Sequence, residues 1–311
     1  MPNSATTLGA SCYLGLRYER GVPPPRYLVV LSEPDPVAQA VGVDLGAGES
    51  LGIHIDGVPV RALGEDAAVL RRAPRHIQDE RLDARLPEDW RGGRTTLVFP
   101  SVHRSEQGQD ALTVHPLGNP ADDAHVGGRA RTLVPTSPRL MTDALRRLAE
   151  GSPAVGWPAT FEATHHGPEL GVPAFFIEVG GNDPLHPPST ATKLIASVVR
   201  ELREDARDRV VLGVGGGHYA PHFTEVALRR SLAFGHILAR HVLEGLVVEV
   251  ARQAWERTPE AAGVVYAKVA DAGRAVASAW GPRFRESEAA RRDGAAIPRS
   301  RDDASPPGAG T

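Results

Sequence analysis

Short apolar runs alternate along this chain with stretches of helical periodicity. Tyr27-Leu28-Val29-Val30-Leu31 is continuously apolar over strand length and predicts a strand buried on both faces. Pro36 to Val43 follows as a weak helix. Leu51–Ile55 and Val58–Arg61 flank Asp56-Gly57, a turn signal that predicts a hairpin. Thr95–Phe99, Ala159–Thr164, Ala174–Val179, Val210–Val214 and Val264–Ala267 read as further strands. Arg139–Glu150, closed by Gly151, and Ser189–Leu202, capped by Ser189, read as amphipathic helices, with Glu244–Trp255 and Asp271–Trp280 after them. The alternation predicts a single layered α/β domain with a mixed, mainly parallel sheet flanked by helices. It is expected over 26–282. The aperiodic segments 1–25, ending in Pro23-Pro24-Pro25, and 283–311, closing in Ser-Pro-Pro-Gly-Ala-Gly-Thr, are expected to be disordered tails.

Composition narrows the function classes. No run of roughly 18 apolar residues exists and no basic segment precedes an apolar core, so neither a membrane span nor a secretory signal is expected. A cytoplasmic protein follows as the expectation. The single cysteine, Cys12, leaves no disulfide and no cysteine-based zinc knuckle. Any metal would need His, Asp, Glu or Asn ligands. Net charge is -3, so the whole chain does not advertise nucleic-acid binding. Arginine supplies nearly all positive charge, Lys193 and Lys268 being the only lysines. Arginine forks suit phosphate, although a base-composition bias explains the same preference.

There are 12 histidines, and several fall where predicted strands end, the usual place for sites in α/β proteins. His165 and His166 follow Phe161-Glu162-Ala163-Thr164 and precede Gly167-Pro168. In an extended strand they point to opposite faces; a twist at the strand end offers both. Glu178 interrupts the apolar run Phe175-Phe176-Ile177, where a carboxylate needs a partner, a metal or a wet edge. Val210–Val214 runs into Gly215-Gly216-Gly217-His218, whose amides could hold an oxyanion or a phosphate. It is neither the dinucleotide fingerprint nor a Walker loop. His103 ends the strand before it in Phe99-Pro100-Ser101-Val102-His103-Arg104, and His115 follows in Leu112–Asn119. No Gly-x-Ser-x-Gly elbow or nucleophilic cysteine is present. Hydrolysis here would use water, deprotonated by a histidine or Glu178 or acidified by a metal.

Four segments in this order, Glu162–Pro168, Val172–Gly180, Leu212–Pro221 and Leu232–Leu238, resemble the D-aminoacyl-tRNA deacylases of the archaeal and plant type. The likeness is strongest over 95–245. It implies an α/β fold similar to peptidyl-tRNA hydrolases and nucleoside phosphorylases. It also implies zinc dependence and hydrolysis of the ester on D-aminoacyl-tRNA to free D-amino acid and tRNA. The chain departs from the family in Val102-His103-Arg104, where the arginine lies on the other side of the histidine. Leu117 replaces a threonine before Gly118-Asn119, and Gly181-Asn182 replace serines.

The expected catalytic set is His165, His166, Glu178 and His218, with Gly216 and Gly217 as oxyanion donors. Metal contacts are expected from His103, His165 and His218. Substrate contacts are expected from His103, Arg104, His115, Asn119, Tyr219 and His236. The expected partner is tRNA charged with a D-amino acid, bound by a monomer without a protein partner. A metal-dependent amidase or peptidase acting on a small substrate, and a non-catalytic tRNA or nucleotide binder gripping phosphate at Gly215–Gly217, are the alternatives.

Overall fold

The structure, a computed structural model, describes residues 22–46, 48–92, 95–103 and 109–267. Arg104, the predicted helix Asp271–Trp280 and most of both predicted tails lie outside them. Strand β1 (Tyr27–Ser32) leads into helix α1 (Pro36–Leu45), then β2 (Ser50–Ile55), β3 (Val58–Ala62) and β4 (Ala67–Arg72). Next come β5 (Thr96–Val102), β6 (Leu112–Pro116), the short β7 (Gly118–Asn119) and β8 (Thr132–Leu133), and helix α2 (Pro138–Val155). Then follow β9 (Ala159–Phe161), β10 (Ala174–Val179), α3 (Ser189–Arg200), β11 (Arg209–Gly215) and α4 (Pro221–Arg229). The described chain closes with β12 (Leu232–Leu238), α5 (Arg240–Leu243), α6 (Val248–Glu256) and β13 (Val264–Ala267).

Among the described residues the main sheet has eight strands in the order β2-β3-β4-β1-β5-β10-β6-β9. Its centre is parallel (β4-β1-β5-β10), with antiparallel pairs at β2-β3-β4 and β10-β6. A parallel sheet, β12-β11-β13, continues the layer. One apolar cluster reaches from Val29 and Val98 through the helix residues Leu145 and Ile195 to Phe223, Phe234 and Ile237, so both sheets share a core. A second cluster fills the opposite face of the main sheet, with Leu97, Phe99, Ala174 and Phe176 packed against Leu82, Leu86 and Trp90. The predicted α/β class and mixed sheet are therefore observed. No described helix is long and apolar enough to cross a membrane.

The predicted hairpin is observed between β2 and β3. Asp56 and Gly57 both have positive φ, 50° and 79°, as the turn type of a two-residue hairpin demands. Other expectations differ. Helix α2 does not stop at Gly151 but runs to Val155 and ends on Gly156, whose φ is 79°. Gly151 instead marks close packing of α2 on α3: a Cβ there would lie 2.3 Å from Leu194 Cδ1. Ser189 is the first residue of α3 rather than its cap, and no side chain caps that helix. The helix predicted from Glu244 starts at Val248. Elements β4, β6, β7, β8, α4, β12 and α5 were not anticipated.

Candidate active site

Strand alternation builds the floor of the site. Cross-strand partners share a face, so Leu97/Ala174, then Phe99/Phe176/His115, then Ser101/Glu178/Thr113 form three successive rows on β5, β10 and β6. The first row is apolar. The last, at the carboxyl ends of β5 and β10, is polar and buried, with Glu178 only 2% exposed. A carboxylate in that position must be compensated. His103, one residue beyond β5, does so: its Nδ1–H donates to Glu178 Oε2 at 3.1 Å, while Nε2 lies 3.2 Å from the Tyr219 hydroxyl. His115 Nε2 stands 3.6 Å from the same carboxylate, its ring stacked 5.1 Å from Phe176. Burial opposes charge on His103, but the bond and charge of Glu178, together with Glu162, outweigh it and raise its pKa to about 9. For Glu178 burial acts upward, yet His103 and His115 hold its carboxyl well below the usual range.

The backbone of α1 anchors the same edge. Asp35 caps α1 through Val37 and Ala38 N–H, and its second oxygen accepts the Ser101 hydroxyl at 2.9 Å and the Val102 N–H at 3.1 Å. The residue preceding His103 is thereby fixed to a helix start.

The second wall comes from the chain leaving β9. Ala163 N–H donates to His218 O and Thr164 N–H to Ile237 O, each at 2.8 Å, which docks residues 162–165 against the glycine turn and β12. Glu162 is the residue that the sequence reading missed. It is fully buried, and neither carboxylate oxygen has a hydrogen-bond partner. Three histidine nitrogens face it: His103 Nδ1 at 3.5 Å, His165 Nε2 at 3.6 Å and His218 Nε2 at 3.6 Å. His165 Nδ1–H is committed to Ala163 O at 2.8 Å, so Nε2 presents its lone pair. Burial foremost, with the neighbouring histidines, holds His165 well below its ordinary value, and burial lowers His166 to about 4.

His166 has φ of 39°, a left-handed conformation that lets two adjacent histidines face one cavity. That cavity, about 420 Å³, is lined by His103, His165, His166, Glu178, His218 and, unanticipated, by His76. His103, Glu162 and His218 form one group whose donor atoms lie within 4.8 Å of one another; His115, His165 and His166 form another. Ligands about 2.0–2.1 Å from a tetrahedral zinc stand roughly 3.4 Å apart. The 3.5–3.6 Å separations around an unpartnered carboxylate fit such a cation.

Other expected residues serve different ends. His236 is buried away from the cavity, bonding Val134 O at 3.0 Å through Nε2 and the Thr164 hydroxyl at 3.1 Å through Nδ1, so it braces the wall and does not contact substrate. Asn119 donates to Gly127 O at 2.9 Å and holds the 120–131 loop. His115 lies behind the cavity, fully buried, with Glu178 between it and His103. Gly216 cannot serve as an oxyanion donor, because its N–H is given to Ala267 O at 3.0 Å. Gly216, Gly217 and Tyr219 line a different cavity.

Residues 93–277 match the D-aminoacyl-tRNA deacylase family. A D-aminoacyl-tRNA deacylase of Thermococcus kodakarensis is 36% identical over 215 residues, covering 68% of this chain and 78% of that protein. Its counterpart in Pyrococcus abyssi is 37% identical over 193 residues, 61% of this chain and 70% of the relative. The crystal structure of a conserved protein of unknown function superposes with a TM-score of 0.72 at 27% identity, over 88% of this chain and 94% of that one. By its matched segments and by relatives of this identity and coverage, the chain belongs to the D-aminoacyl-tRNA deacylase family.

Proposed function

We propose that this protein hydrolyses the ester joining a D-amino acid to the terminal ribose of tRNA, acting in the cytoplasm, at a zinc site made by Glu162, His218 and His103, whose Nδ1 would give up its proton to the metal. Family membership supports the reaction. One observation carries the site: a fully buried carboxylate without a hydrogen bond, faced by three histidine nitrogens at 3.5–3.6 Å. An anion so placed is stable only beside a cation or a proton. Zinc bound there supplies a Lewis acid and lowers the pKa of water toward neutrality.

The chain's own residues do the rest. His165 Nε2, unprotonated at neutral pH and open to the cavity, takes a proton from water as its oxygen attacks the ester carbonyl carbon. The bond from that carbon to the ribose oxygen breaks, and His165 returns the proton to the leaving oxygen. The products are a free D-amino acid and tRNA with its terminal hydroxyl restored. Glu178 has a low pKa and lies between His103 and His115, which suits it to taking up charge beside those rings rather than to acting as base.

The test is deacylation of D-tyrosyl-tRNA with and without chelator, beside elemental analysis of the purified protein. Activity that is lost on chelation and restored by zinc is expected, with His218→Ala losing both metal and turnover. Full activity in metal-free protein, or full zinc content in His218→Ala, overturns the zinc assignment. Absence of turnover on every D-aminoacyl-tRNA with zinc supplied overturns the reaction.

A further inference from the structure

The glycine turn has two sides. His218 faces Glu162 and the histidine-lined cavity. Gly216, Gly217 and Tyr219 line a second cavity of about 430 Å³, together with Phe223, Arg240 and Tyr266. It lies where β11 and β13 end and the chain leaves β12, the carboxyl edge of the three-stranded parallel sheet. Open parallel sheets bind ligands at this edge. Residues 216–219 are thus a wall common to both cavities, and the Tyr219 hydroxyl reaches through to His103 Nε2 at 3.2 Å.

Two features give this cavity a chemical character. Its surface is mainly aromatic and apolar, with Tyr219, Phe223 and Tyr266 contributing rings. Its cation is Arg240, whose backbone N–H is fixed to Gly216 O at 3.0 Å. The Arg240 side chain is exposed and has no hydrogen-bond or ion-pair partner among the described residues. Flat rings beside an unpaired guanidinium are what a single-stranded nucleotide requires: a stacking surface for the base and a fork for the phosphate. An apolar or hydroxylated amino-acid side chain needs no such cation. The net charge of -3 also means that RNA must be gripped by local cations.

We propose that the second cavity is a subsite for a nucleotide of the single-stranded acceptor end of tRNA, with its base against Tyr266 and Tyr219 and its phosphate on Arg240. The proposal rests on the deacylase reading above, since it places the strand on one side of the wall while the ester it carries lies on the other. The subsite makes RNA binding separable from hydrolysis.

The experiment uses the full chain and an uncharged RNA hairpin that ends in the tRNA acceptor strand, followed by fluorescence anisotropy. Arg240→Ala should weaken binding about tenfold and reduce the salt slope by about one, with Arg240→Lys recovering most of the loss. Tyr266→Ala should weaken it about tenfold and Tyr266→Phe hardly at all. On D-tyrosyl-tRNA these variants should raise KM and keep kcat, while hydrolysis of D-tyrosine ethyl ester stays at the wild-type rate. Unchanged RNA affinity in both alanine variants overturns the subsite, as does an equal loss on the two esters. Weakened RNA binding in a protein that hydrolyses nothing leaves the subsite standing and sinks the reaction instead. Normal deacylation with a silent Arg240 does the reverse.

Discussion

Strand β10 carries two kinds of region within six residues. Phe175, Ile177 and Val179 face the helices and belong to an apolar core that extends unbroken beneath α1, α2 and α3. Ala174 and Phe176 begin the other face in the same manner, but Glu178 ends it among histidines. Both faces are equally buried. What separates them is the company each side chain keeps: on one face every residue is satisfied by packing, and on the other the last row needs charge compensation. Burial by itself therefore does not mark this site; unsatisfied burial does, and Glu162 is its extreme case.

The comparison breaks most sharply at Glu162. Glu162→Gln should cut deacylation by at least about a thousandfold, the scale of losing an activated water, and should abolish zinc retention. Its stability should respond in the opposite sense. In chelated protein the variant should be at least as stable as wild type in urea, because a buried carboxylate without a hydrogen bond has gone. With zinc supplied the order should invert, because ligand binding stabilises only the wild type. A variant that is less stable than wild type under chelation shows that the carboxylate is satisfied without metal.

On the helix face the expectations exchange places. Ile177→Ala should cost about 3–4 kcal/mol by urea denaturation, as a cavity in a packed core does, while kcat of the folded protein stays within about twofold. A large fall in kcat at unchanged stability would erase the distinction between the faces.

His236 offers the finest test, because it looks like a site residue and behaves as core. Burial pushes its pKa down to about 3, whereas the unfolded chain titrates near 6.5. Protonation thus favours unfolding: the contribution is complete above pH 6.5 and is lost as pH falls toward 3. Between pH 7 and pH 5 it amounts to about 2 kcal/mol. His236→Gln should flatten the pH dependence of the urea midpoint by that amount, with deacylation at pH 7 little altered. An unchanged pH slope would show that His236 is accessible to protons in the fold.

The sequence made the strand-end histidines visible because they interrupt apolar runs beside glycine and proline. His165, His166 and His218 line or face one cavity as that reading expects. Glu178 was legible on the same grounds. Glu162 obeys the same rule, a carboxylate between Phe161 and Ala163, but it stands three residues before a more conspicuous histidine pair. His236 and Asn119 could not be sorted by pattern, because whether a polar side chain faces a cavity or a backbone carbonyl depends on tertiary contacts many residues away. Helix α4 was hidden by the glycine turn immediately before it. Strand β6 was hidden because Thr113 and His115 occupy positions that in an ordinary buried strand would be apolar.

The wall at residues 216–219 has a further consequence for ligand design. Two cavities of about 430 and 420 Å³ separated by one short turn bring any pair of fragments, one in each, close together. A compound that filled both would turn the second binding event into an intramolecular one at an effective concentration on the order of millimolar. A linked compound of that kind would gain avidity from geometry alone, with neither fragment binding tightly by itself.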